Sequence, residues 1–195
     1  MTDTKSRILD AALKLFNEQG SANVTTNHIA EAISMSPGNL YYHYRNKAEI
    51  VRALFARIMD EWARNYAVPE GTMPSIPMME SMVAGNFDIQ WRYRFFFRDL
   101  TMLLRADPDL ASAYRANRRS GHDNTLFLIK LFVDAGVTTG PTDPEELQDL
   151  AQLLWLVGDF WLVFRDAAGA RITQTEKKHG VRMFRRLITP YLKGN

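Results

Sequence analysis

The sequence predicts an all-α protein: a small three-helix module at the N-terminus and a larger helical bundle behind it. Three observations carry this expectation. Apolar residues recur at helical spacing through most of the 195 residues. Helix-capping residues cut the first 50 residues into short elements. No stretch of alternating β-branched residues is bounded by hairpin turns, so a sheet is not expected.

Taken in order, the first helix is expected from about Thr4 to Gln19, with Ile8, Ala12, Leu15 and Phe16 on one face. Gly20 stands where a C-terminal cap belongs. Val24-Thr25-Thr26 then offers hydroxyl N-caps to a short helix that buries Ile29, Ala30 and Ile33. Ser34-Met35-Ser36 makes a tight break. Ser36-Pro37 opens a third helix, a serine N-cap followed by proline where its missing N–H costs nothing. That helix ends near Tyr44. Asn46 opens a fourth, with Glu49 three residues on as the partner of a capping box. It can run to about Ala67, which at ~1.5 Å per residue makes roughly 30 Å. Residues 69–77 hold three prolines and a glycine and read as a loop. Further helices are expected at about 78–86, 87–105, 108–135, 143–168 and 173–192, with breaks at Asp107-Pro108, Gly136 to Pro144 and Gly169 to Thr173. The domain division expected is 1–47 and 48–195.

Composition excludes several classes. A hydrophobic share of 46% is that of a folded globular chain. The first 20 residues mix charge into an amphipathic pattern, without the apolar core of a secretory signal. The most apolar stretch, Leu153 to Phe164, is interrupted by Asp159 and is shorter than a bilayer span. The absence of cysteine removes disulfides and thiolate chemistry. A cytoplasmic protein with no membrane partner is therefore expected. Charge does not point to nucleic acid: residues 1–50 carry five Lys/Arg (Lys5, Arg7, Lys14, Arg45, Lys47) against five Asp/Glu (Asp3, Asp10, Glu18, Glu31, Glu49).

Local geometry is more telling. Three short helices, the last two joined by a tight turn, form a minimal helix-turn-helix whose third helix enters the DNA major groove. Such a helix needs an apolar anchor behind it and compact polar or planar side chains in front. In Ser36-Pro37-Gly38-Asn39-Leu40-Tyr41-Tyr42-His43-Tyr44, Leu40 and Tyr44 are four apart and face the core together. Pro37, Gly38, Asn39 and Tyr42 are left for the DNA side. Gly38 lets the backbone approach closely, and Asn39 can read a base edge. Tyr41 and His43 are placed to reach phosphates, and Lys47 adds a cation at the start of the fourth helix.

Residues Ile8 to Ile50 resemble the N-terminal domain of the tetracycline-repressor (TetR) family. The resemblance rests on the amphipathic helix ending in Gly20, Val24-Thr25-Thr26, Ile29-Ala30, and Leu40-Tyr41-Tyr42-His43-Tyr44 followed by Lys47. It implies that Thr26, Tyr41, His43 and Lys47 contact phosphates and that Pro37, Gly38, Asn39 and Tyr42 meet bases. Asn27 and Ser36 complete the expected DNA face. The chain departs from the family at the helix-turn-helix turn, where Ser34 replaces the usual glycine. A left-handed backbone there costs serine roughly 1–2 kcal/mol. The resemblance further implies a homodimeric regulator of transcription, with double-stranded operator DNA and a small-molecule effector as its partners.

The bundle resembles that family in layout only. Phe87 to Leu104 is apolar on several faces, as suits a central helix. Its rings, with other large or polar groups of the bundle, give candidate ligand-pocket residues: Trp62, Phe87, Trp91, Phe95, Asn124, Trp155 and Asp159. Such a lining suits an apolar or aromatic effector. Asp159 lies within an apolar run and needs a partner if buried. Either an arginine such as Arg98 or Arg165 pairs with it, or it orients a ligand. Stripes on the last two long helices, with Leu150, Leu154, Gly158, Trp161, Phe184 and Ile188 among them, are the candidate dimer interface. Each of these groups also has a plain reading as interior packing.

An enzyme is not expected. Nucleotide-loop, dinucleotide, zinc-helix and serine-elbow motifs are absent, and His28, His43, His122 and His179 have no metal-ligand spacing on one helix. No cofactor is implied. The competing reading is a helical adaptor that binds protein through its aromatic bundle, which leaves the capped N-terminal module unexplained.

Overall fold

In a computed structural model, residues 4–193 are described. They form ten α-helices: α1 (Thr4–Gln19), α2 (Thr26–Ala32), α3 (Pro37–His43), α4 (Lys47–Asn65), α5 (Ile76–Arg92), α6 (Arg94–Arg98), α7 (Leu100–Ala106), α8 (Pro108–Asp134), α9 (Pro144–Ala167) and α10 (Gln174–Ile188). Short 3-10 turns occupy Ser21–Asn23 and Thr189–Tyr191. Among the described residues there is no strand, only one isolated bridge between Thr138 and Leu192. The fold is all-α, a helix-turn-helix followed by a helical bundle.

The chain divides into two compact units. One takes residues up to Glu61 together with Tyr93–Ala113; the other takes Trp62–Arg92 and Tyr114 onward. α4 and α8 each pass from one unit into the other along the chain.

The first unit is built on the apolar face of α1. Ile8, Ala12 and Phe16 are buried, and Val24, Ile29, Leu40, Ile50, Leu54, Phe55 and Ile58 close the core around them. Gly20 ends α1 with φ 80°, a left-handed value that a side chain would strain. The caps that divide the chain are formed. The Thr25 hydroxyl accepts the His28 N–H at 3.3 Å, and His28 Nδ1 accepts the Thr25 N–H in return. The Ser36 hydroxyl accepts the Asn39 N–H at 3.2 Å. Asn46 Oδ1 accepts the Glu49 N–H at 2.9 Å, while the Glu49 carboxylate reaches one residue further back, to the Arg45 N–H.

The segment 87–105 departs from expectation. α5 runs unbroken past residue 86 to Arg92, and the breaks fall at Tyr93 and Asp99 instead. Phe95, Phe96 and Phe97 are consecutive and all buried. Three consecutive residues cover about 200° of a helix, more than one face can hide. The five-residue α6 is instead enclosed on more than one side, which buries all three rings. Phe95 packs on Phe16 at 5.1 Å between centroids, and Phe96 stacks on Phe55 at 5.0 Å. Three polar ties hold the segment to the rest of its unit: Asn17 Oδ1 accepts the Phe95 N–H, Asp99 accepts from Ser21, and Arg52 pairs with Asp107 at 2.7 Å.

In the second unit α5, α9 and α10 pack on one another. Phe87, Val83 and Leu162 form one apolar cluster, flanked by Trp91, Trp161, Val181 and Phe184. The approach of α10 to α5 depends on Gly180, where a β-carbon would lie 2.6 Å from the rings of Phe87 and Trp161. Lys177 with Asp88 and Arg185 with Glu80 tie the same two helices at their rims. α9 is long and apolar enough to cross a membrane by length and composition. In this unit it packs on α5 and α10, with Leu150, Ala151, Leu154, Gly158, Asp159 and Leu162 turned to the interior.

Candidate nucleic-acid interface and ligand centre

The turn between α2 and α3 is a Schellman arrangement. The Ser34 N–H bonds the Glu31 carbonyl at 3.0 Å and the Met35 N–H bonds the Ala30 carbonyl at 2.9 Å. This places Ser34 in the left-handed position with φ 53°, the one such value for a non-glycine among the described residues. The turn geometry thus survives the missing glycine, with the strain carried by serine.

α3 presents two contrasting faces. Leu40 and Tyr44 are buried at 2% and 8% exposure, which fixes the helix against α1 and α2. On the other side Pro37, Gly38 and Asn39 are exposed, with Tyr41 at 63% and Tyr42 at 84%. An unburied tyrosine ring forgoes one of the larger hydrophobic gains available to a folding chain. A β-carbon on Gly38 would meet nothing within 4 Å, so the backbone there is bare. His43 is half-buried and edges its ring against Tyr42 at 5.4 Å. On α2, Asn27 is exposed and Thr26 half-buried. The structure therefore brings Asn27, Pro37, Gly38, Asn39, Tyr41 and Tyr42 to the surface of one small module. Ser36 is exposed as well, and its hydroxyl, which accepts the cap bond, keeps its O–H for another acceptor.

Lys47 is placed differently. Its ammonium donates to the Ser21 carbonyl at 2.7 Å, part-buried, so it ties α4 to the end of α1. Two of its three donor positions remain for other acceptors.

In the second unit, the expected pocket residues separate. Phe95 belongs to the first unit, against Phe16. Asn124 is exposed on α8. Phe87 is fully buried in the α5–α10 cluster, and Trp91 packs partly buried against it. Trp62, Trp155 and Asp159 instead converge on a polar centre. The Trp62 indole N–H donates to Asn86 Oδ1 at 2.8 Å, and Asn86 Nδ2 donates to the Gly158 carbonyl at 2.8 Å. Gln90 Nε2 donates to the same carbonyl. One residue on, the Asp159 carboxylate lies 3.7 Å from Arg118.

The arginine expected beside Asp159 was Arg98 or Arg165; the structure supplies Arg118. Arg165 is engaged with Glu176 at 2.8 Å, and Arg98 lies in the other unit. Arg118 also covers the Trp155 ring at 4.0 Å, whose indole N–H donates to Thr125. Burial pushes the Asp159 carboxyl up to about 7, against a smaller lowering by Arg118. Burial, and next the Asp159 charge, push the phenols of Tyr66 and Tyr114 up as well, Tyr114 to about 12.

Asn86, Gln90, Tyr66, Tyr114 and Arg118 were not picked out by sequence. The first two carried a signal: amides four apart within an apolar helix share its buried face. Arg118 carried none, because a contact between helices leaves no trace in spacing.

The candidate dimer residues lie mostly inside the second unit. Leu150, Leu154 and Ile188 pack together, each 6% exposed. Phe184 sits between that cluster and the one around Phe87. Trp161 packs edge-on to His179 at 4.9 Å. The outer side of α9 is apolar too, with Leu153, Leu156 and Phe164 at 45%, 57% and 63% exposure. Among the described residues no three His, Cys, Asp or Glu come together as metal ligands.

Comparison with known proteins agrees with this layout. The model of a family described as bacterial regulatory proteins, tetR family, matches residues 8–54, and one described as a bacterial transcriptional repressor matches 57–195. The structure is similar to a TetR-family transcriptional regulator from Marinobacter aquaeolei VT8, with TM-score 0.90 and 34% identity over 99% of this chain and 93% of that one. Its fold also matches SmeT, solved as a complex with triclosan, at TM-score 0.69 and 19% identity over 98% of this chain and 93% of that one. Among curated proteins, an HTH-type transcriptional regulator of Staphylococcus aureus (strain MRSA252) is 25% identical over 138 residues, 59% of this chain and 75% of that protein.

Proposed function

Because this chain belongs to the tetR family of bacterial regulatory proteins, we propose that it is a cytoplasmic homodimeric repressor that releases its operator when a small effector occupies the second unit. The observation that carries the DNA half of this reading is the solvent face of α3. A helix anchored by Leu40 and Tyr44 keeps Asn39, Tyr41 and Tyr42 in solvent around a bare Gly38 backbone. Asn39 is suited to reading adenine in the major groove, and Tyr41 to a phosphate.

A single neutral module binds DNA weakly, because affinity comes largely from phosphate neutralisation. Two copies overcome this, with their recognition helices one duplex turn apart, roughly 34–36 Å, or a multiple of it. The outer face of α9, with Leu153, Leu156 and Phe164, is the apolar surface we assign to the second copy. The residues expected there from sequence pack behind it and hold the helix in place.

Release follows from the ties within the first unit. Segment 93–113 is joined to the DNA-facing elements through Asn17, Ser21 and Arg52. α8 starts in that segment and continues past Tyr114 and Arg118. A ligand that repositions α8 thereby moves α1 and α4, and the spacing of the two α3 helices with them. SmeT, captured with triclosan, supports the capacity of this fold to hold a small molecule.

Selection of bound duplexes from a random-sequence pool tests this reading. Enrichment of a near-palindrome by a species of dimeric mass is expected. Recovery of no consensus, or full affinity from a monomer by light scattering, would contradict it.

A further inference from the structure

We propose that the second unit receives a ligand carrying a protonated amine on an aromatic or apolar body, and that Asp159 and Gln90 are its acceptors. This rests on the reading that the effector binds in this unit, and it adds the chemistry of the effector.

In one buried place of this unit three internal hydrogen bonds are made: the Trp62 indole N–H on Asn86, and one N–H each from the amides of Asn86 and Gln90 on the Gly158 carbonyl. The acceptors left over are not answered. Gln90 is 2% exposed, and its Oε1 is buried with no hydrogen-bond partner, alone in this among the described residues. Turning the amide over does not help, since it sets Oε1 against the Gly158 carbonyl and strands the N–H₂ instead. Asp159, next to Gly158, is 7% exposed. Its cation, Arg118, stops at 3.7 Å, beyond hydrogen-bond reach, and its guanidinium is also laid over Trp155.

A buried site with surplus acceptors is completed by a donor, and one with an incompletely paired carboxylate by a cationic donor. Plain hydrocarbon leaves both groups unanswered, and an anion adds like charge. The groups facing Asp159 are Arg118 and Tyr114 from α8 and Tyr66 after α4. Tyr66 and Tyr114, with Trp155 under the Arg118 guanidinium, bring rings to this site, which suit the face of an aromatic ligand or of a cation. The raised carboxyl, near 7, fits a group that awaits a counter-ion.

The test uses two matched series on the full-length protein at pH 8: tryptamine, tryptophol and indole-3-acetate, then 4-phenylbutylamine, 4-phenylbutanol and 4-phenylbutyrate. Calorimetry should show at least one amine binding at least tenfold more tightly than its alcohol and its acid. Asp159→Asn should abolish that preference without lowering the melting temperature. Gln90→Leu should weaken amine binding several-fold and serves if the first variant does not fold. Arg118→Gln should strengthen amine binding, because it removes the competing cation; weakened binding would return Asp159 to a purely structural pair. Equal or tighter binding of the alcohols or acids, or no amine binding in either series, overturns the proposal. Operator binding separates the two levels. An amine that binds at Asp159 without altering operator affinity leaves the site standing and defeats the repressor reading. An acid that releases the operator where no amine binds does the reverse.

Discussion

One carboxylate oxygen of Asp99 accepts both the backbone N–H and the hydroxyl of Ser21, at 3.1 and 2.5 Å. Ser21 is 1% exposed, and its own carbonyl takes the Lys47 ammonium. Three elements far apart in sequence therefore meet on one serine. Asp99→Ala strands two donors, one of them a backbone N–H, which costs about 1–3 kcal/mol. The expected result is a lowered denaturation midpoint together with weaker operator binding. Asp99→Asn, which keeps one acceptor, should fall between. Unchanged operator affinity in both variants would show that this tie does not position α3.

Ser34→Gly should stabilise the protein by about 1 kcal/mol. Ser34 holds φ 53° because the two Schellman bonds require it, and glycine adopts that value without a β-carbon penalty. Part of the gain is offset by the larger conformational freedom of glycine in the unfolded chain. Urea midpoints of the two proteins decide it. A loss of stability would mean that the serine side chain contributes more than its strain costs.

The raised carboxyl of Asp159 has a pH consequence of definite sign. Its pKa moves from 3.8 to about 7 on folding. Between those values the folded protein keeps a proton that the unfolded chain has lost. This group therefore lowers stability as pH rises from about 4 to 7, and its effect is constant above that. Asp159→Asn should remove this component, so the variant gains most over the parent at pH 8 and least at pH 4. Melting curves at the two ends suffice. An equal difference at both would show that folding does not raise the Asp159 carboxyl.

Much of the first unit was legible because its signals are local. Gly20, Thr25, Ser36-Pro37 and Asn46 with Glu49 are caps, and a cap acts on residues two or three places away. Even the exception was readable: Ser34 stands where glycine belongs, and the structure forces it left-handed rather than abandoning the turn. The segment 87–105 was not legible as three pieces. Its breaks at Tyr93 and Asp99 answer to Phe16, Phe55, Ser21 and Asn17, residues that spacing along the segment cannot reveal. The Leu150, Leu154 and Ile188 stripes were visible, but a stripe does not state whether it faces its own chain or another. Asp159 was recognised as needing a partner, while Arg118 on a neighbouring helix left no mark in the sequence.

On the reading proposed above, the exposed face of α3 reads base sequence while Lys47 serves the DNA backbone and the fold. This division is tested by titrating parent, Asn39→Ala and Lys47→Ala against the selected operator and its single-base-pair variants over a range of salt. Asn39 is exposed, so its removal should leave the melting temperature unchanged. It should also cut discrimination by about 1–3 kcal/mol at one base pair of each half-site. Lys47→Ala should weaken binding to every duplex alike and flatten the salt dependence. The contradicting result is an Asn39→Ala protein that is folded and discriminates among operator variants as the parent does; sequence would then be read by some other surface.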